Sequence, residues 1–100
     1  MLGKAARHYM HKIAIVTDST CDIPGELRQK YDIRVVPLYI FWEGEQFLDG
    51  IEMTAEQFYE RIEREPAVRP KTSLPTPGDF LNTFQQIKAD GAQEIVVITI

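Results

Sequence analysis

The sequence is poor in cysteine and has no excess of positive charge. Cys21 is the single cysteine among 100 residues. One thiol excludes an intramolecular disulfide and a multi-cysteine metal site, and it is typical of a protein in the reducing cytoplasm. Acidic side chains outnumber basic ones by 15 to 11, and the net charge is −4. A chain without a basic surface is not expected to bind nucleic acid. We therefore predict a cytoplasmic protein with no nucleic-acid partner.

Long apolar runs are also missing. The longest run covers residues 35–42 and is interrupted by Pro37, whereas a membrane-spanning helix needs about 20 apolar residues. The first eleven residues contain no apolar stretch of the kind found in signal peptides. We interpret residues 1–11 as a flexible leader or tail and residues 12–100 as an α/β domain, and we predict no integral membrane segment.

What the sequence does contain is an alternation of β-branched apolar runs with amphipathic segments. These patterns predict main strands at residues 12–17, 33–42 and 94–100, with a bulge or edge at Pro37 and a short return strand at 46–48. They predict helices at residues 24–31, 54–65 and 76–91. Strands that alternate with helices indicate an open, largely parallel sheet with helices on both faces. Because the last buried strand ends the sequence, we expect this domain to be truncated at Ile100.

The loop that follows Lys71 is the stronger candidate for a ligand site. Thr72, Ser73 and Thr76 offer three hydroxyl groups. The helix N-terminus that follows adds backbone N–H donors and a partial positive charge. The loop has no lysine or arginine after Lys71, which suits a carboxylate better than a triphosphate. A plainer interpretation stays open, in which Thr72 and Ser73 close a turn and Thr76 caps the helix.

Asp18, at the end of the first strand, is a second candidate. A carboxylate in this place can hold Mg²⁺ or accept a phosphoryl group, as in a Mg-dependent phosphatase or phosphotransferase. However, the next acidic residue, Asp22, is four positions away, and aspartate in such turns more often caps backbone amides. No phosphate loop, dinucleotide fingerprint or zinc helix is present, so no cofactor or metal is predicted. A third alternative is a protein-interaction module without a ligand.

Several stretches, taken together, resemble the DegV family. They stand in the family's order and are IVTDSTCDIP at residues 15–24, VPLYI at 36–40, DG at 49–50, TAEQFY at 54–59 and KTSLPTPGDF at 71–80. The resemblance implies a bacterial lipid-binding protein, with two α/β domains that enclose a long-chain fatty acid, and no enzymatic activity of its own. It also implies a protein partner, a fatty-acid kinase that phosphorylates the bound carboxylate.

The same resemblance implies roles for individual residues. Thr72 matches the threonine whose hydroxyl holds the carboxylate, and Ser73 is its neighbour in the motif. Asp18, Ser19 and Thr76 are expected to support the site. A serine and a histidine that the family uses lie beyond the end of this sequence. We therefore expect weak lipid binding, or an exposed apolar surface through which the chain forms oligomers.

Overall fold

The computed structural model describes residues 13–99, which form two compact units. The first unit contains residues 13–36 and 76–99, and the second is Pro37–Pro75. The elements in chain order are β1 (Ile13–Asp18), a 3-10 turn (Ser19–Cys21), α1 (Gly25–Lys30), β2 (Arg34–Val36), β3 (Tyr39–Trp42), β4 (Glu45–Leu48), α2 (Ala55–Arg64), β5 (Lys71–Ser73), α3 (Pro77–Ala89) and β6 (Glu94–Ile98). Residues 1–12, which include the predicted leader, and Ile100 lie outside the described residues.

A parallel three-stranded sheet forms the base of the first unit. Its strand order is β2-β1-β6, and β1 pairs in parallel with both neighbours. Ile87 of α3 is fully buried against this sheet, in one cluster with Ala14 and Val16. Phe80 and Phe84 pack against the same cluster. The spacing of Phe80, Phe84 and Ile87 predicts an apolar stripe on this helix, and the stripe is confirmed, as is the α/β fold with a parallel sheet.

An antiparallel sheet of order β4-β3-β5 forms the second unit. The strands β3 and β4 are joined by the two-residue turn Glu43-Gly44, whose φ angles of +45° and +83° match the type I′ hairpin. Trp42 is fully buried, and its ring meets Phe58 of α2 edge to face at 5.8 Å. Thr54 and Gln57, three residues apart, predict a capping box at the start of α2, and it is present: the Thr54 hydroxyl accepts the Gln57 N–H, and the Gln57 side-chain oxygen accepts the Thr54 N–H.

Two predictions about strands in the middle of the chain are wrong. Residues 33–42 were expected to form one strand, but Pro37 divides them into β2 of the parallel sheet and β3 of the antiparallel sheet. Proline has no N–H to donate to a ladder, so it favours this break. Residues 66–75 were expected to form a loop, yet they contain β5, which pairs with β3. The return strand at 46–48 is present as part of β4, but the third strand of the antiparallel sheet was not predicted.

Two predictions about burial are also wrong. The strand near the end of the sequence was expected to be fully buried, but β6 lies at an edge of the described sheet, and Val96, Val97 and Ile98 are 46%, 44% and 61% exposed. The i, i+4 spacing of Phe58 and Ile62 predicts that both lie on the buried side of α2, but Ile62 is 36% exposed. Among residues 13–99, no helix is long and apolar enough to cross a membrane.

Candidate functional site

Thr72 and Ser73 lie on β5, at the edge of the antiparallel sheet, and both are exposed. In the register of β3 and β5, Thr72 stands opposite Ile40 and Ser73 stands opposite Tyr39. Residues directly opposite each other share a face of the sheet, and consecutive side chains of a strand alternate between faces. Thr72 therefore lies on the face of Ile40, and Ser73 lies on the opposite face.

The hydrogen bonds of β3 determine which backbone groups of β5 point outward. The Asp49 N–H donates to the Leu38 carbonyl at 2.9 Å, so Leu38 directs its backbone groups towards the side of β4. Backbone groups alternate in direction along a strand, so those of the next residue, Tyr39, face β5. Tyr39 and Ser73 thus form a hydrogen-bonded pair, and Thr72 directs its N–H and C=O away from β3.

The surroundings of the two hydroxyl groups differ accordingly. Thr72 shares its face with Ile40, which is 3% exposed and belongs to the apolar core of the second unit. The Ser73 hydroxyl donates to the Leu74 carbonyl at 3.2 Å, within its own chain segment. Thr72 therefore places a hydroxyl group on the face of the sheet that carries buried Ile40, whereas the Ser73 hydroxyl makes a local contact.

Thr76 caps α3 in the first unit, as its sequence context predicted. Its hydroxyl accepts the Asp79 N–H at 3.1 Å, and the Asp79 carboxylate accepts the Thr76 N–H at 2.8 Å. Pro77 occupies the first helical position, where a missing N–H has no cost. The structure thus shows the capping role of Thr76.

Asp18 and Ser19 lie where β1 ends. Asp18 is 1% exposed, and its carboxylate accepts hydrogen bonds from the Thr20 N–H at 2.9 Å and from the Thr20 hydroxyl. Ser19 begins the 3-10 turn that Asp18 caps. Within residues 13–99, no three His, Cys, Asp or Glu side chains are placed to hold a metal ion. The observed contacts of Asp18 are those of a capping residue, the more common of the two roles considered for it.

A polar cluster that was not predicted centres on Arg61 of α2. Its guanidinium group lies 4.7 Å from the centre of the Trp42 ring and donates to Glu65 at 2.9 Å and to Glu45 at 3.3 Å. Desolvation opposes the charged form, but the hydrogen bonds to both carboxylates outweigh it and raise the pKa of Arg61. The hydrogen bond from Arg61 lowers the pKa of Glu65. The i, i+4 spacing of Arg61 and Glu65 was the one signal in the sequence.

Comparison with known proteins places these features in a family. The chain matches the model of a family described as "Uncharacterised protein, DegV family" over residues 12–100. A DegV domain-containing protein of Clostridium acetobutylicum is 34% identical over 91 residues, which are 91% of this chain and 31% of that protein. Among solved structures, a fatty acid (stearic acid)-binding protein from Eubacterium ventriosum has a TM-score of 0.81 and 35% identity, over 88% of this chain and 30% of that one.

A second solved structure agrees with the first. DegV from Bacillus subtilis, described as a fatty acid binding protein, has a TM-score of 0.79 and 30% identity, over 87% of this chain and 30% of that one. The chain thus spans about a third of the length of the relatives that it matches. The match over residues 12–100 includes the motifs at 15–24 and 71–80 that carry the predicted resemblance. This chain belongs to the DegV family.

Proposed function

We propose that this chain supplies part of a long-chain fatty-acid-binding site and that it holds the carboxylate at the Thr72–Ser73 segment. The observation that carries the proposal is the position of Thr72, an exposed hydroxyl residue on an edge strand that shares its face with buried Ile40. The exposed Thr72 hydroxyl is a donor that an approaching carboxylate can reach. The solved relatives described as fatty-acid-binding proteins support the assignment.

The carboxylate and the acyl chain of the ligand contribute very different free energies of binding. A hydrogen bond to a charged group contributes about 1.5–3 kcal/mol, whereas burying an acyl chain of about sixteen carbons contributes on the order of 10 kcal/mol at ~0.8 kcal/mol per methylene. The carboxylate contact therefore orients the ligand, and enclosure of the tail provides most of the affinity. Because the chain spans about a third of its relatives, we expect it to bind fatty acid more weakly than they do.

The supporting residues act in this proposal by shaping the backbone. Asp18, with Ser19, orders the turn after β1 through its hydrogen bonds to Thr20, and Thr76 begins α3 through its capping box with Asp79. These are positioning residues in the first unit. Neither a cofactor nor a catalytic step is part of the proposed function.

A fatty-acid kinase is the proposed protein partner, and the cytoplasm is the proposed compartment. Thr72 and Ser73 are exposed, together with Leu74 at 62%. A carboxylate bound beside these residues is accessible to a second protein, so that its oxygen can attack the phosphoryl group that a kinase supplies. This partner rests on the family resemblance and on that exposure.

We also propose that the 100-residue chain self-associates through the segment Ile95–Ile98, called here the β6 surface. Among residues 13–99, β6 pairs with β1 alone, and both of its faces carry exposed apolar side chains. Residues 95–99, IVVIT, include neither a charged residue nor a proline that would block edge-to-edge pairing. An isologous pairing of two β6 edges would cover this surface with a second copy of the chain.

The test of lipid binding is native mass spectrometry of the freshly purified protein, followed by organic extraction of anything bound. We expect a mass increment that matches one fatty acid and that decreases in Thr72→Val, which keeps the side-chain shape but removes the hydroxyl. Retention of the same increment in Thr72→Val would contradict the assigned site. Hydrolysis of p-nitrophenyl phosphate that is lost in Asp18→Asn would instead favour the phosphatase alternative.

A further inference from the structure

The geometry of β5 separates the two residues of the proposed carboxylate site. Thr72 and Ser73 are consecutive in an extended strand, so their side chains leave the sheet on opposite faces. Two hydroxyl groups on opposite faces diverge, so a carboxylate that binds the first is directed away from the second. A site that uses this segment must therefore take its second donor from another group.

The backbone of β5 supplies such a donor at Thr72. Its N–H points to the outer side of the edge strand, because the hydrogen-bonded pair with β3 is formed by Ser73 and Tyr39. Among residues 13–99, β5 pairs with no strand on that outer side. The N–H and the hydroxyl oxygen of one threonine are joined through only two carbon atoms, so both donors can reach the two oxygens of a single carboxylate.

The corresponding groups of Ser73 are already used. Its N–H faces Tyr39 in the ladder, and its hydroxyl donates to the Leu74 carbonyl at 3.2 Å. Ser73 therefore contributes to the strand and to the turn that follows. It offers no donor on the side where Thr72 presents two.

We propose that Thr72 binds the fatty-acid carboxylate with two donors, its hydroxyl group and its backbone N–H, and that the Ser73 hydroxyl does not contact the ligand. This inference rests on the proposed function and specifies it: the carboxylate approaches the outer edge of β5 on the face of Ile40. Thr72 sets the position of the carboxylate, and the backbone donor is independent of the side chain.

Three variants of the full chain distinguish the two donors, with ¹³C-carboxyl-labelled palmitate as the ligand. Thr72→Val removes the hydroxyl and should weaken binding about tenfold or more. Thr72→Pro also removes the N–H, and an edge strand accepts proline where the N–H points outward, so it should weaken binding roughly tenfold further. Ser73→Ala should bind palmitate within about twofold of the wild type.

The results that would overturn this inference can be told apart from the result that would overturn the proposed function. Equal losses in Ser73→Ala and Thr72→Val would overturn the inference, and so would equal affinities of Thr72→Pro and Thr72→Val. Amide hydrogen exchange of the ligand-free wild type gives a measurement that needs no variant: Thr72 should exchange faster than Ser73, and an equally slow exchange would overturn the inference alone. A wild-type chain that does not bind palmitate would overturn the proposed function as well.

Discussion

Arg34 of β2 forms an ion pair with Asp90, the C-cap residue of α3. The two side chains are 18% and 15% exposed, and Asp32 lies 3.5 Å from the same guanidinium group. The pair connects an outer strand of the parallel sheet with the end of the helix that packs on it. A partly buried pair of this kind is worth more than a surface pair, because less water screens it.

We expect Asp90→Asn to lower the free energy of unfolding by about 1–3 kcal/mol, between the values for exposed and for buried pairs. Chemical denaturation followed by circular dichroism measures the change. The matched control is Glu60→Gln, which removes the exposed pair with Arg64 at 3.5 Å and should change stability by less than about 0.5 kcal/mol. Equal changes in the free energy of unfolding would show that the Arg34–Asp90 pair stabilises the fold no more than an exposed pair does.

Loss of the Glu65 carboxylate should make stability less dependent on pH. Its hydrogen bond from Arg61 lowers the pKa of Glu65 in the folded chain below the ordinary value of 4.5. A lowered folded pKa gives a stabilising contribution that is complete above pH 4.5 and is lost as the pH falls through the folded pKa. Urea denaturation of the wild type and of Glu65→Gln should therefore differ at pH 7 and converge in strong acid. A difference that persists unchanged in acid would exclude this linkage.

The β6 surface should respond to charge. Val96→Lys places a positive charge on the exposed edge strand, where lysine opposes strand pairing. We expect the wild-type chain to show a rising mass in light scattering as its concentration increases, and Val96→Lys to stay monomeric. Ile51→Lys is the control, because Ile51 is 67% exposed in the second unit. Its association should match that of the wild type, and a wild type that is monomeric throughout would refute the proposed interface.

The cap of α3 should be worth about 1 kcal/mol. Thr76→Ala removes the oxygen that accepts the Asp79 N–H, a loss that typically costs about 0.5–2 kcal/mol. Thr76→Ser keeps that acceptor and should retain nearly all of the stability. Thermal unfolding of the three proteins measures both changes. If serine were as damaging as alanine, the methyl group rather than the capping hydrogen bond would explain the loss.

The helices could be predicted because their signals are local. The boxes of Thr54 with Gln57 and of Thr76 with Asp79 lie within four residues each, and propensity and capping act over that distance. The strands around Pro37 could not be assigned in the same way. No local signal near Pro37 shows that residues 34–36 and residues 39–42 belong to different sheets. The sheet that each strand joins depends on pairing with strands that are distant in sequence.

The sequence named the candidate residues of the site, but it did not predict their geometry. The motif at residues 71–80 pointed to Thr72 and Ser73 by resemblance, without showing that they lie on a strand. The strand has only three residues, too few for an alternating pattern, and it forms because β3 offers an edge for pairing. The cluster at Arg61 was missed for a related reason, because Trp42 and Glu45 contact Arg61 from β3 and β4.

The two-residue turn at Glu43-Gly44, which joins β4 to β3, also affects how β3 pairs with β5 on its other side. A two-residue hairpin makes Trp42 and Glu45 the closing hydrogen-bonded pair, and this choice sets which backbone groups of β3 remain for its other neighbour. The central strand β3 divides its backbone groups between β4 and β5. The turn between β3 and β4 therefore also determines which backbone groups of β3 pair with β5. The outward orientation of the Thr72 N–H thus depends on the length of a hairpin turn about thirty residues earlier in the sequence.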